Sequence, residues 1–410
     1  MTYAFPPSPA AGDCPVSDAG NFLPATGRTP CETDLRIVVE GYGLPDAERL
    51  RAAVGAVART GTASRPVRVG TGRVAQGPPP TVVHAAPHAC PLDVTAADTV
   101  RLLTGRADAW GLPGREVLVV PGEAGARTAL VFSASPALMG GHGLLAWAQE
   151  VFRVLRGEPA VVSTGPETVR AVRAPASCRL RAAPLPGRPS PFGPATRGAP
   201  AQTLWLRRTL PRNRRGMTAR LTQALADVSG LDTRVIVPAA PRHRPSSTRG
   251  VVRDVGPPLF LDTRPGLHWS AVLSRPQAAP CGPGALASGH EAELYLASAA
   301  VCHLGAPGAG TLSGGGFNAS TAYALPTHSP VVPLSFTVVE TAGATEVVLG
   351  LRAEGPDLAE RAGTFLDSVL EHTAAGISVP RRAVSTGSGR SRRNRGPRGA
   401  AADQVLSGPG

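Results

Sequence analysis

Apolar residues along the chain follow two periods, one typical of strands and the other of helices. The segment 34–40 alternates in strand fashion, and 45–59 carries apolar residues at helical spacing. Further strands are predicted at 66–69, 81–84, 117–120 and 128–132, and further helices at 95–104 and 144–156. The first part of the chain therefore predicts a mixed sheet with helices.

The second half of the chain repeats this mixture. Its strands are predicted at 203–210, 233–237, 334–340 and 346–351, and its helices at 217–228, 289–304 and 357–373. A short turn at Ala342-Gly343 joins the last two strands and indicates a hairpin. The last helix carries Ala362, Phe365, Val369 and Leu370 on one face. This half predicts a second α+β unit.

Between the two halves, residues 173–202 are dominated by Pro, Arg, Gly and Ala. Proline fixes φ and lacks an N–H group, so this stretch can form neither a helix nor a central strand. We interpret it as the connection between an N-terminal lobe, 34–172, and a C-terminal lobe, 203–376. The predicted flanks are an irregular segment at 1–33 and a disordered, arginine-rich tail at 377–410.

Composition excludes several function classes. The chain has 42 Lys and Arg residues, all of them arginine, and this bias is typical of a GC-rich, actinobacterial genome. Without lysine there is no Schiff base, no Walker-type phosphate loop and no kinase-type ATP lysine. Of the net charge of +13, seven charges come from the tail, which makes nucleic-acid binding an unfavoured interpretation.

Cysteines and hydrophobic runs indicate the compartment. The six cysteines are far apart and form no Cys-x-x-Cys pair, so we expect reduced thiols. His84, His88 and Cys90 are loosely clustered, but the intervening Ala85-Ala86-Pro87 argues against a metal site, and none is predicted. Neither a signal peptide nor a run of ~20 apolar residues is apparent. We expect a soluble, cytoplasmic monomer that binds no membrane.

The segment 129–156 has the layout of a strand, a loop and an amphipathic helix. It resembles the catalytic segment of the condensation-domain and chloramphenicol-acetyltransferase-like superfamily, whose signature is His-His-x-x-x-Asp-Gly. At the aligned positions this chain reads Ser135-Pro136-Ala137-Leu138-Met139-Gly140-Gly141. The framework is kept, whereas the catalytic residues are replaced.

Three later segments resemble the same superfamily in the same order. Residues 234–243 are similar to a strand of its second lobe, 312–316 to a loop that tends to read Ser-Asn-x-Gly, and 333–340 to its closing strands. The resemblance implies an α+β fold of two lobes in a V, with a central tunnel between them. In that family the tunnel admits an acyl thioester on coenzyme A or a carrier protein from one side, and a nucleophile from the other.

Several expected functional groups are missing. The second histidine of the signature acts as a general base, and Pro136 stands there, while Gly140 replaces the structural aspartate. In the second lobe, Ala240 and Gly314 replace an expected aspartate and asparagine. The resemblance thus implies a cleft that has lost polar groups in both lobes.

The remaining candidates are few. His142 is the most available base, although a plain helix-start residue is the simpler interpretation, and Ser135 is a candidate nucleophile with no base supplied locally. The candidates for substrate binding are Pro136, Gly140, Gly141, Arg242, His243, Ser313 and Gly314.

The leading hypothesis is a stand-alone acyltransferase homologue of natural-product or lipid biosynthesis that holds an acyl or polyketide thioester in its tunnel. No cofactor is expected; acyl-CoA or a phosphopantetheine-loaded carrier protein would be a co-substrate. Two alternatives stay open: a pseudoenzyme that binds or recruits a partner, and an enzyme that cyclises a biosynthetic intermediate.

Overall fold

The computed structural model describes residues 34–60, 66–69, 73–76, 79–104, 114–123, 125, 127–134, 139–160, 190–192, 202–211, 215–238, 259–273, 277–278, 295, 297–308, 310–327, 332–353 and 357–375. These residues form three sheets, of five, seven and two strands. The predicted segments 1–33 and 377–410, and most of the predicted connection, lie outside the described residues.

The first half of the chain alternates strands and helices as its sequence predicts. Its elements are β1 (Leu35–Tyr42), α1 (Ala47–Arg59), β2 (Pro66–Val69), β3 (Arg73–Gln76), β4 (Thr81–His84), α2 (Ala97–Thr104), β5 (Arg115–Pro121), β6 (Arg127–Ala134) and α3 (Gly141–Leu155). Strands β4, β5, β6 and β1 lie side by side in the five-stranded sheet, and only the β4–β5 pairing among them is parallel.

Helices α1 and α3 cover one face of the five-stranded sheet. Asp46 begins α1 by accepting a hydrogen bond from the N–H of Arg49 at 2.8 Å. Residues at helical spacing, Leu50, Val54 and Val57, are then buried against the sheet. Burial of this apolar face stabilises the helix on the sheet.

The second half contributes all seven strands of the seven-stranded sheet. Its elements are β7 (Gln202–Pro211), α4 (Met217–Ser229), β8 (Thr233–Val237), β9 (Leu259–Thr263), α5 (Trp269–Val272), β10 (Gln277–Ala278), β11 (Ala299–His303), β12 (Asn318–Leu325), β13 (Leu334–Thr341), β14 (Ala344–Ala353) and α6 (Leu358–Ala375). The strand order is β10-β9-β8-β11-β13-β14-β7.

Helices α4 and α6 pack against one face of this sheet and form its core. The predicted hairpin is present, with Gly343 at φ 90° in the turn between β13 and β14. Helix α6 buries Ala362, Val369 and Leu370, but Leu366 is buried in place of the predicted Phe365, which is half-buried. None of the described helices is long and apolar enough to cross a bilayer.

The helix predicted at 289–304 is wrong where the structure describes this segment. Residues Ala299–His303 form β11, which pairs in parallel with β8 on one side and β13 on the other. Alanine and leucine in this stretch favour a helix locally. The two flanking strands override that preference because they satisfy the backbone of β11 on both sides.

One strand leaves the lobe to which the sequence assigns it. Strand β12 is antiparallel to β1, at the edge of the five-stranded sheet, although it lies between β11 and β13 in the chain. The chain therefore passes from the second sheet to the first and back again. This exchange joins the two sheets through their backbones as well as through side chains.

Candidate functional site

Helix α3 begins earlier than its sequence predicts. Gly140 is the N-cap residue in an extended conformation, and the helix starts at Gly141 instead of at about 144. His142 therefore lies in the first turn of α3. The N–H groups of such a turn have no partner within the helix, and Gly140 has no side chain to accept from them.

The position of this first turn is set by the apolar face of α3. Leu144, Trp147 and Phe152 are buried against the first sheet. The rings of Trp147 and Phe132 meet edge to face at 5.5 Å, and those of Phe132 and Phe152 lie 5.8 Å apart. These contacts hold α3 at a fixed place beside β6.

The first turn of α3 touches the second sheet at β11. A methyl group built on Gly141 would lie 2.9 Å from Cδ2 of Leu304 and 3.4 Å from Sγ of Cys302. Because a glycine is present, the helix backbone approaches this strand closely. Leu304 is buried in the core of the first sheet, and Cys302 packs against that core. The two sheets thus meet at the start of α3, next to Gly140 and Gly141.

Strand β11 presents different residues to its two sides. Ala299 and Val301 belong to the core beneath α4 and α6, whereas Cys302 and Leu304 face the first sheet. We call this side of the seven-stranded sheet, opposite α4 and α6, its inner face. Side chains on the inner face are the ones that a molecule between the sheets would contact.

An imidazole–carboxylate pair near the end of β11 was not predicted from the sequence. Nε2 of His303 lies 3.1 Å from Oε1 of Glu340. By alternation, His303 shares the side of Val301, away from Gly141. The pair is therefore placed outside the α3–β11 contact. The sequence predicts a helix over this stretch and so does not place His303 at the end of a strand.

Arg115 lies where the signature loop leaves the first sheet. It pairs with Ala134, the last residue of β6, and is 6% exposed. Burial lowers the pKa of its guanidinium to about 10. That value is far enough above neutral for the group to keep its charge at pH 7.

The predicted site residues do not form one cluster in the described part of the chain. Gly140, Gly141 and His142 share the first turn of α3. The described residues do not include Ser135, Pro136, Ala240, Arg242 or His243. Ser313 and Gly314 lie at the opposite end of α3.

Arg156 holds the glycine-rich loop at that far end. Its Nη1 donates to the carbonyl oxygen of Ser313 at 2.9 Å and to that of Gly310 at 3.2 Å. A methyl group on Gly314 would lie 2.9 Å from the carbonyl oxygen of Phe152. Since α3 has 15 residues, this end is about 20 Å from the first turn. The structure therefore separates Ser313 and Gly314 from His142.

A second contact between the sheets is made by buried charges, which the sequence did not reveal. Arg207 on β7 donates through Nη1 to Glu40 at 3.1 Å and through Nε to Glu346 at 3.0 Å. Its guanidinium lies 3.8 Å from the ring centre of Tyr323. We call Glu40, Arg207, Tyr323 and Glu346 the ionic cluster.

Every charged member of the ionic cluster has several partners. Glu40 also accepts from the N–H of Leu92 at 2.7 Å and from the hydroxyl of Tyr323 at 3.1 Å. Glu346 accepts from the hydroxyls of Thr209 and Thr321. The side chains of Glu40 and Glu346 are 3% and 4% exposed. Carboxylates buried to this degree need hydrogen-bond partners, because a buried charge without them is costly.

The pKa values in the ionic cluster follow from burial and charge. Burial alone would lower the pKa of Arg207, but the hydrogen bond that Arg207 donates to Glu346 and the nearby negative charges outweigh it and raise the pKa. Burial, and then the charge of Glu40, raise the pKa of Tyr323 well above its usual value. Arg207 is therefore charged and Tyr323 neutral at pH 7.

The histidine and cysteine cluster at 84–90 has structural contacts. His88 shares a hydrogen bond of 2.9 Å with the hydroxyl of Thr99. Burial, and then the charge of Glu40, raise the pKa of Cys90 to about 11. Within the described residues, no group of three or more His, Cys, Asp or Glu side chains is arranged to hold a metal ion.

No protein-family model and no curated protein matches the sequence. Solved structures do match the fold. A starter condensation domain of rhizomide synthetase RzmA, a double mutant in complex with C8-CoA and Leu-SNAC, is 16% identical with a TM-score of 0.61. The match covers 88% of this chain and 93% of that chain.

Two further matches broaden the comparison. A structure concerned with condensation domain-mediated chain release from the enacyloxin polyketide synthase is 16% identical, with a TM-score of 0.53 over 95% of this chain and 86% of that chain. The epimerization domain from the third module of tyrocidine synthetase B is 13% identical, with a TM-score of 0.51 over 85% of this chain and 94% of that chain. The chain therefore has the two-lobed α+β fold of the condensation domains.

Proposed function

We propose that the chain binds an acyl or polyketide thioester between its two lobes, in a tunnel that ends at the first turn of α3, and transfers its acyl group. The observation that carries this proposal is the contact of Gly141 with Cys302 and Leu304. It brings the first turn of α3 to the inner face of the second sheet. A starter condensation domain of this fold holds C8-CoA and Leu-SNAC, which supports a thioester as the ligand.

The first turn of α3 offers donors for the charge that develops in acyl transfer. When a nucleophile attacks a thioester carbonyl, its oxygen becomes negative before the C–S bond breaks and the thiol leaves. Backbone N–H groups at a helix start point along the axis, and the helix dipole favours negative charge there. We infer that backbone N–H groups of the turn that begins after Gly140 would stabilise this oxyanion.

His142 would take the proton of the attacking amine or hydroxyl. It lies one residue beyond Gly141, and its ring can act as a base within hydrogen-bond reach of a nucleophile bound beside the first turn. Pro136, at the position of the usual base, has no titratable group. The rate would then depend on positioning in the tunnel together with this single base.

The proposal is tested by incubating the purified chain with octanoyl-CoA and amine acceptors. Mass spectrometry follows the acyl product, and calorimetry measures binding of the thioester. We expect His142→Ala to lower turnover by about a hundredfold or more while binding persists, because general-base catalysis contributes roughly that factor. His372→Ala is the matched control, since His372 is exposed on α6.

The outcomes separate two functions. Unchanged turnover in His142→Ala would remove the assignment of the base. Binding without turnover by the unmodified chain would favour a protein that holds or recruits a carrier-bound intermediate. The loss of both signature residues, at Pro136 and Gly140, favours that second candidate. Absence of binding by any thioester would contradict both.

A further inference from the structure

A buried arginine on the inner face of the second sheet has donors that no described residue uses. Arg234 on β8 is 5% exposed. Its Nε and Nη2 donate to Asp262 on β9 at 2.8 and 3.0 Å. Its Nη1 is buried and, within the described part of the chain, has no hydrogen-bond partner. A buried charged donor in this state is rare in folded proteins.

Alternation along β8 places this side chain on the inner face. Val235 is buried in the core beneath α4 and α6, so the side chains of Arg234 and Ile236 point to the other side. Asp262 lies directly opposite Arg234 in the antiparallel pairing of β8 with β9, and on the same side. The pair therefore belongs to the surface that the first turn of α3 touches at β11.

The orientation of the guanidinium is fixed by its neighbours. Asp262 accepts from two of its nitrogens in a bidentate arrangement, which holds the plane of the group. The ring of Phe260 lies 5.2 Å from its central carbon. The free edge at Nη1 consequently points in one direction, which favours a directed hydrogen bond over loose attraction of an ion.

The charge of the pair defines the class of ligand. Asp262 already neutralises Arg234, and a second anion at Nη1 would be repelled by that carboxylate. An uncharged acceptor avoids this repulsion and still uses the N–H groups. The acceptor that fits is the oxygen of a ketone, ester or amide.

The distance from the α3–β11 contact sets where the acceptor lies in the ligand. Ile236 pairs with Ala300, so Arg234 and Cys302 are four residues apart in register. A strand rises roughly 3.3 Å per residue, which puts them about 13 Å apart along the strands. A thioester at the first turn of α3 would thus reach Arg234 only with the distal part of its acyl chain.

We propose that Arg234 is a specificity-determining residue that binds a carbonyl oxygen in the distal half of the acyl chain. The inference rests on the proposed function, because it assumes a thioester at the first turn of α3. A plain saturated chain would leave Nη1 unpaired in a buried place. A site built to bind an oxygen rejects the analogue that lacks it.

The test compares two acyl-CoA ligands of equal chain length by calorimetry. One is saturated, and the other carries a ketone in the distal half of its chain. We expect the unmodified protein to bind the oxo ligand roughly tenfold to a hundredfold more tightly. Arg234→Met should remove this preference. The double variant Arg234→Met/Asp262→Leu removes both charges together and provides the same test if the single variant does not fold.

Arg208→Met is the matched control. Arg208 forms the same bidentate arrangement with Asp367, at 2.7 and 3.1 Å, but on the helix-covered side of the sheet and 39% exposed. The Arg208→Met variant should keep the full preference for the oxo ligand. Equal affinity of the two ligands for the unmodified protein, or a preference that survives in the Arg234 variants, would overturn the assignment while leaving the proposed function intact. Binding of neither ligand would overturn both.

Discussion

Two of the contacts between the lobes, among those in the described part of the chain, differ in chemistry. At the α3–β11 contact, Gly141 packs on Leu304 and Cys302 without any charge. At the ionic cluster, Arg207 bonds to Glu40 and Glu346, all largely withdrawn from water. An apolar contact can open without leaving a charge unpaired, whereas separating buried charges is costly. Separating the contact beside the candidate site would therefore cost less free energy than separating the ionic cluster.

The largest expected effect follows from removing the centre of the ionic cluster. Arg207→Met leaves Glu40 and Glu346 buried without a positive partner. We expect the free energy of unfolding to fall by about 3–5 kcal/mol, since breaking a buried pair strands a charge. Urea denaturation followed by circular dichroism measures this.

Arg208→Met serves again as the control, since its partner Asp367 is half exposed. Loss of the Arg208–Asp367 ion pair should lower the free energy of unfolding by about 1 kcal/mol or less, because exposed pairs contribute little. Equal losses in the two variants would mean that the ionic cluster does not hold the lobes together more strongly than a surface pair.

A smaller effect is expected at the apolar contact. Gly141→Ala would place its methyl group 2.9 Å from Leu304 and force that buried side chain to move. We expect the free energy of unfolding to fall by about 1 kcal/mol, because overpacking outweighs the gain in helix propensity. In a Leu304→Ala background the same change should stabilise the protein, since the obstructing atoms are gone.

Denaturation of the four proteins in this double-mutant cycle gives the coupling between the two positions. Gly55→Ala in α1 is the control, because the only atom near its added methyl group is the end of Arg59, at 3.4 Å. It should stabilise by up to about 1 kcal/mol. Additive effects at Gly141 and Leu304 would mean that the α3–β11 contact is not packed in solution.

The smallest effect concerns pH beside the ionic cluster. Burial and the charge of Glu40 raise the pKa of Cys90 from 9.0 to about 11. The folded protein therefore holds this proton more tightly than the unfolded chain does. The stability contributed by the neutral thiol is complete below pH 9 and is lost as the pH rises towards 11.

Alkylation by iodoacetamide, followed by mass spectrometry across this pH range, checks the prediction. Cys90 in the folded protein should react more slowly at pH 9 than in urea, because the thiolate is the reactive form. Equal rates in the two conditions would contradict the raised pKa.

Local patterns in the sequence determined most of the elements. The apolar spacing of α1 and the turn before β14 gave bounds within one or two residues of those observed. The prediction failed at β11, whose composition favours a helix, because pairing with β8 and β13 is a long-range effect. It also predicted no strand at 318–325, where β12 pairs with β1.

The candidate site was predictable only in part. The resemblance of 129–156 to the superfamily signature indicated the fold and directed attention to Gly140, Gly141 and His142. It grouped Ser313 and Gly314 with them, although they lie at the other end of α3. Arg234 was noticed only as the start of a resembling strand, since nothing local indicates that its Nη1 has no partner among the described residues.

By itself the sequence determined two α+β lobes and the helix that follows the segment 135–141. Only the tertiary structure decided that α3 begins against β11 and that Arg207 joins two carboxylates from distant strands. It also decided that Arg234 lies on the inner face of the second sheet. The reason is physical. Periodicity and capping act over a few residues, whereas burial and charge pairing depend on segments up to 283 residues apart, which only the folded chain brings together.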